Sequence, residues 1–235
     1  MMKKLFLSLL FASVYLISSA EVPVVIGFQA GVSMSKLKLE NDFRSESAKM
    51  HPGAAGGIFV NIGIFKEFVS IQPEIGIIQK GGTFKDYISG PYTVTEKNAY
   101  NHVSSTLMFF GGWGNDKFKV RGGVGPFYSS WISGWPGNQK IMQVEADGRV
   151  VLNETYKIDL KRGGDSYDSR NEFGIAAGAG ASIFPKGGKH AIIVDFRYIL
   201  GLTDTYYYEE GAPTNSPNGK NNVMTLGVGY GYKIQ

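Results

Sequence analysis

From Val24 to Ile234 the chain repeatedly alternates apolar with polar or small residues. That period of two places unlike side chains on opposite faces of a strand. Val69, Ile71, Pro73, Ile75 and Ile77 share one face, against Ser70, Gln72, Glu74 and Gly76 on the other. Met224, Leu226, Val228, Tyr230, Tyr232 and Ile234 alternate in the same way with Thr225, Gly227, Gly229, Gly231 and Lys233. Eight such runs are predicted: about Val24–Ser35, Gly53–Phe65, Phe68–Lys80, Tyr100–Trp113, Phe118–Ser133, Asn171–Phe184, Ala191–Thr203 and Asn222–Ile234. Most exceed the ~5–6 residues usual for globular strands and reach the ~9–11 that cross a bilayer when tilted.

The connections set the topology. Lys66-Glu67, Gly114–Lys117 and Pro185–His190 are short, whereas Lys36–Pro52, Gly81–Ala99, Gly134–Arg170 and Asp204–Asn221 are long and polar. Short and long alternate without exception, so an up-and-down barrel collects every short turn at one end. Short periplasmic turns opposite long extracellular loops mark outer-membrane barrels. Phe65, Phe68, Trp113, Phe118 and Phe184 bracket the short turns, where an interfacial aromatic belt belongs. Asp147-Gly148 between β-rich arms predicts a hairpin inside the longest loop. The expected fold is therefore all-β: an eight-stranded antiparallel up-and-down transmembrane β-barrel.

Such a barrel turns its apolar face to lipid and its polar face to the lumen. Strand parity places Gln72, Glu74, Lys119, Arg121, Glu172, Asp195, Arg197 and Lys233 inside, where paired charges are expected because an unpaired buried charge is costly. The chain holds 32 glycines, about twice the usual ~7 % share. Those at 27, 31, 57, 63, 76, 123, 125, 174, 178, 180, 227, 229 and 231 fall on the same inner phase. Eight strands leave room only for side chains, so bulky ions need small neighbours and the lumen should be filled.

The first twenty residues read as a secretory signal. Lys3-Lys4 precede an apolar stretch from Leu5 to Ser18, and Ser18-Ser19-Ala20 supplies small residues before a cut after Ala20. Residues 21–235 then form the barrel domain. Losing Lys3 and Lys4 takes the formal charge from +4 to +2, and no basic cluster points to nucleic acid. There is no cysteine, so neither a lipid-anchoring thiol nor a disulfide contributes.

Gln72-Pro73-Glu74-Ile75-Gly76 with Gln79-Lys80-Gly81, then Gly125-Pro126-Phe127, Arg197–Asp204 and Gly227-Val228-Gly229-Tyr230 resemble the outer-membrane β-barrel ("porin family", PorT-like) proteins common in Bacteroidota. The resemblance spans the mature chain. It implies an outer-membrane location, lumen-facing structural roles for Glu74 and Arg197, mostly no assigned activity, and outer-membrane lipid and the barrel-insertion machinery as partners. The family's terminal aromatic is replaced here by Lys233-Ile234-Gln235.

No catalytic, cofactor or metal site is expected. His51, His102 and His190 stand far apart, without metal-ligand spacing. The sharpest enzymatic alternative is a lipid acyl hydrolase or transferase built on His102 with Ser104 or Ser105, for which no acid partner is assignable. A soluble lipocalin-like carrier and a secretion or assembly accessory are further alternatives. Tyr206-Tyr207-Tyr208 in the last loop suits either ligand contact or the membrane interface. The leading expectation is a structural or binding role exercised through the extracellular loops, with their partner unassigned.

Overall fold

The computed structural model describes residues 22–40, 45–65, 68–89, 92–144, 150–158, 171–185, 188–204 and 218–234. The leader, the Asp147-Gly148 turn and Tyr206–Tyr208 lie outside the described residues. The described strands, in chain order, are β1 (Val24–Glu40), β2 (Ala48–Lys49), β3 (His51–Phe65), β4 (Val69–Ser89), β5 (Tyr92–Gly114), β6 (Phe118–Val144), β7 (Val150–Ile158), β8 (Asn171–Ile183), β9 (His190–Gly201) and β10 (Asn218–Lys233). A short 3-10 turn, Ser45–Ser47, precedes β2.

Eight of these strands are barrel staves: β1, β3, β4, β5, β6, β8, β9 and β10. Each pairs antiparallel with its neighbours in sequence, and β1 pairs with β10 from Val25↔Lys233 to Glu40↔Asn218, closing the cylinder. Closure satisfies the backbone N–H and C=O groups that an open edge would leave unmet in hydrocarbon. The expected eight-stranded up-and-down barrel is the fold observed. The β5–β6 turn is held by Asn115, whose Oδ1 accepts from the backbone N–H of Lys117 (2.9 Å) and of Phe118 (3.0 Å).

The two faces follow the alternation. Ile58, Val228 and Phe28 turn outward, 61, 59 and 57 % exposed, while Gln72 and Met108 are fully enclosed. An apolar exterior of this extent would not remain dispersed in water, and a soluble carrier would need both faces reversed.

The difference from the sequence reading lies in strand length. β1 continues to Glu40, the β4–β5 ladder runs on to Ser89↔Tyr92, and β6 extends to Val144 and pairs with β7. Much of what composition assigned to loops is therefore a β-ridge standing above the barrel. The hairpin expected around Asp147-Gly148 is present as the β6–β7 pair, with Gln143↔Leu152 in register.

The physical cause is an exchange of residue chemistry between the two faces at the membrane exit, while the alternation keeps its phase. Within the barrel β1 turns Met34 outward and Ser35 inward; just above, Lys36 and Lys38 are exposed while Leu37 and Leu39 are buried. Leu37, Leu39, Ala48, Phe84 and Val94 pack into an apolar cluster inside the ridge. Water outside favours this ordinary sense, as lipid favours the inverted one below.

Candidate functional site

The lumen is filled in layers. Nearest its middle lies an ionic belt on β4, β6 and β9. Arg197 pairs with both Glu74 and Asp195. Arg121 donates to Gln72 Oε1 at 2.6 Å and reaches Asp195 Oδ2 at 3.4 Å. Gln72 Nε2 in turn donates to Glu74 Oε1 at 2.7 Å, and Asn61 Nδ2 donates to Gln72 Oε1 at 3.0 Å. Two carboxylates thus answer two guanidiniums, which lets the group leave water without a net charge.

Glycine parity makes the room. Asp195 stands opposite Gly180 on β8 and Gly227 on β10, Arg197 opposite Gly178, and Arg121 opposite Gly180. A Cβ on Gly178 would lie 2.9 Å from Arg197 Cγ, and one on Gly180 would lie 3.1 Å from Asp195 Oδ2. Larger residues there would push the belt out of place.

Above the belt sits an apolar layer that includes Ile78, Met108, Phe127 and Val223. Beyond it is a second polar cluster. Lys80 Nζ donates to Glu172 Oε2 at 3.0 Å and to Ser129 Oγ at 2.9 Å, over the Phe127 ring at 4.5 Å. Asn221 Nδ2 donates to the same Glu172 oxygen at 3.3 Å, and Ser129 Oγ lies 3.4 Å from His102 Nδ1. Of the eight residues singled out in the sequence, the structure joins Gln72, Glu74, Arg121, Asp195 and Arg197, and sets Glu172 apart with Lys80. Lys80 was missed because it closes its run, although its parity with Gln72, Glu74 and Gly76 would have placed it inside.

Lys119 and Lys233 belong to neither cluster. They line a cavity of ≈ 270 Å³ at the end of the barrel that carries the short turns, walled by Phe59, Phe184 and Ile193 and reaching Arg121 at its inner end. Lys119 Nζ lies 5.5 Å from the Phe184 ring centre, and the Arg121 guanidinium 4.4 Å from that of Phe110.

The histidines do not converge. His51 Nδ1 faces Thr83 Oγ1 at 3.1 Å, and His190 meets the Tyr230 hydroxyl on the outer face. His102 meets Ser129 rather than Ser104, and Ser105 points outward. Among the described residues no group of three or more His, Cys, Asp or Glu is placed to hold a metal ion.

Comparison with known proteins finds similar solved structures and one matching family. Among solved structures, the chain is similar to Ail, the attachment invasion locus protein of Yersinia pestis, with 15 % identity, 92 % of this chain and 100 % of that one covered, and a TM-score of 0.40. It is also similar to Neisserial surface protein A, with 11 % identity, 88 % and 96 % coverage and a TM-score of 0.42. A third similar structure is the outer membrane protease OmpT from Escherichia coli, with 9 % identity, 93 % and 100 % coverage and a TM-score of 0.37. No curated protein matches the chain. The model of the outer membrane protein beta-barrel domain matches residues 19–207. A closed eight-stranded barrel with a lipid-facing exterior and a match over most of its length, this chain belongs to the outer membrane protein beta-barrel domain family.

Proposed function

We propose that the protein is a non-conducting, non-enzymatic outer-membrane barrel whose β-ridge binds a partner outside the cell. The observation that carries this reading is the filled lumen: with the ionic belt, the apolar layer and the Lys80–Glu172 cluster stacked across it, the exterior is left as the working surface. The ridge formed by β4 to β7 presents ladder-paired backbone well beyond the outward apolar band. We place the protein nearest the PorT-like type on its sequence motifs, with insertion by the barrel-assembly machinery after a cut behind Ala20.

Replacing residues 137–158 by a short Gly-Ser turn tests the reading. The variant should still insert, run as a heat-shifted band and have an intact mass beginning at Glu21, yet fail to restore the envelope phenotype of a deletion strain. Full restoration by this variant would remove the ridge from the function.

The acyl-enzyme alternative has moved with the geometry. Its serine would be Ser129, within reach of His102 and Lys80, but Ser129 is fully buried and Lys80 is engaged by Glu172. An acyl substrate needs a path to the nucleophile. Ser129→Ala should therefore leave the membrane lipid profile unchanged, and a changed profile would revive catalysis.

A further inference from the structure

Where β1 and β10 leave the apolar band, their ladder sets like charges face to face. Lys38 stands directly opposite Lys220, and Lys36, two residues below on the same phase, stands opposite Asn222. Opposed residues of an antiparallel pair have Cβ atoms ~4.5–5.5 Å apart and diagonal ones roughly 7–8 Å, so one patch holds all three ammonium groups. Like charges placed directly opposite destabilise a ladder. Lys36 and Lys38 are exposed and Lys220 is half-buried. The ion pairs formed among the described residues involve none of the three. Glu40, the next residue of that phase on β1, comes one step higher, opposite Asn218.

Position selects the anion. Directly below on the same two strands, Met34↔Met224, Val32↔Leu226 and Ala30↔Val228 carry the lipid-facing run, with Val32, Met34, Leu226 and Val228 exposed. The lysines therefore occupy the first polar rows above hydrocarbon at the long-loop end, where lipid headgroups lie. Their alkyl stems can lie along apolar surface while the ammonium groups stay in the headgroup layer. Basic side chains clustered beside a membrane span attract anionic headgroups, and a phosphate accepts strong charge-assisted bonds. A soluble anion would gain nothing from the apolar column beneath, whereas a lipid sets its acyl chains against it. Farther round the rim, Leu202, Phe173 and Tyr128 are exposed and uncharged, so the positive patch marks one side.

We propose that the β1–β10 rim is a binding site for a phosphorylated lipid of the outer leaflet. Its phosphate is held among Lys36, Lys38 and Lys220, and its acyl chains lie against Val32, Met34 and Leu226. The bound phosphate turns a repelling pair into a shared cationic seat. The site lies at the membrane rim and does not depend on a partner for the ridge.

The test uses the full barrel in maltoside micelles, which contain no phosphate, titrated with diphosphoryl lipid A and followed by amide shifts of Lys36, Lys38 and Asn222. Saturable shifts are expected. Binding should weaken at least about tenfold with dephosphorylated lipid A, which keeps the acyl chains, and in the triple variant Lys36→Gln/Lys38→Gln/Lys220→Gln. Lys117 and Lys189, exposed at the short-turn end, should not shift. Lys38→Gln alone should raise the thermal unfolding midpoint in plain micelles, by removing the opposed charge, and lower it once lipid A is bound. The proposal is overturned by no saturable shift, equal binding of the two lipids, equal shifts at both rims, unchanged affinity in the triple variant, or a midpoint change of one sign in both media. Inorganic phosphate reproducing the shifts would overturn it too, as the mark of an adventitious ion only. The lipid comparison needs no mutation, so it decides the matter even where a variant fails to fold.

Discussion

Among the described residues, Lys80 and Glu172 are the two charges held most completely from water, with side chains 0 and 3 % exposed and 3.0 Å apart. Removing one partner of such a pair typically costs ~3–5 kcal/mol, because the other remains buried and uncompensated. Glu172→Leu should therefore lower the stability of the lipid-embedded barrel by about that amount in equilibrium urea unfolding. The double variant Lys80→Met/Glu172→Leu should recover most of the loss, since apolar pairs often replace buried ion pairs at little cost. A double variant as unstable as the single one would show that the pair contributes more than charge compensation. The glycines act at the same scale. A Cβ on Gly31 would lie 2.0 Å from the Leu226 carbonyl oxygen, whereas one on lipid-facing Gly111 would meet nothing within 4 Å. The glycine surplus is thus partly a close-approach requirement between β1 and β10 and partly spare room.

Each strand carries two messages, one for lipid and one for water. On β10, Val228 faces outward near the middle of the apolar run and Tyr232 near its periplasmic end. An arginine at the bilayer midplane of a barrel costs ~2–4 kcal/mol, falling to ~0–1 near the interface. Val228→Arg should accordingly destabilise the barrel by the larger amount and Tyr232→Arg by the smaller, read from unfolding midpoints in the same lipid. Equal costs would mean that the apolar band is not centred where the exposure pattern puts it. All eight staves were legible in the alternation, because inverted faces with long strands have few other uses. Their upper ends were not. Past Ser35, Lys80 and Ser133 the alternation turns polar and loop-like, and only partners that lie far away in the chain convert it into a ladder. The edge of β4 above Ile78, where its pairing with β3 ends, shows how: Ser33 Oγ donates to the Gln79 carbonyl at 2.7 Å. Ser35 Oγ accepts from the Gly81 N–H at 2.8 Å, and β2 pairs at Thr83 and Phe84.

At the scale of the molecule, the barrel is a plugged cylinder. Ionic belt, apolar layer and upper polar cluster succeed one another along the axis, and the 270 Å³ cavity ends at the belt. Purified protein reconstituted in planar bilayers should give little conductance at moderate voltage. Stable, large, non-selective channels would contradict the filled lumen. Because the belt balances two carboxylates against two guanidiniums, Glu74→Gln should leave a surplus positive charge in the lumen. Any small leak it admits should then favour anions, as a ring of fixed positive charge does.

Strand number, the sense of the two faces, the ends that carry short turns and the inward placement of eight polar residues all follow from local alternation. A period of two is a property of neighbours in the chain, and a membrane reads it stave by stave. Which charge meets which does not follow. Glu74 and Arg197 stand 123 residues apart, and Lys80 and Glu172 stand 92 apart. Their pairing depends on the stagger with which β1 meets β10 and β4 meets β5 on closure. Parity could name the candidates, but only a closed cylinder sets their heights. The division of the inner residues into a belt, an upper pair and a cationic vestibule is therefore a consequence of register, a long-range quantity that no short window of sequence contains.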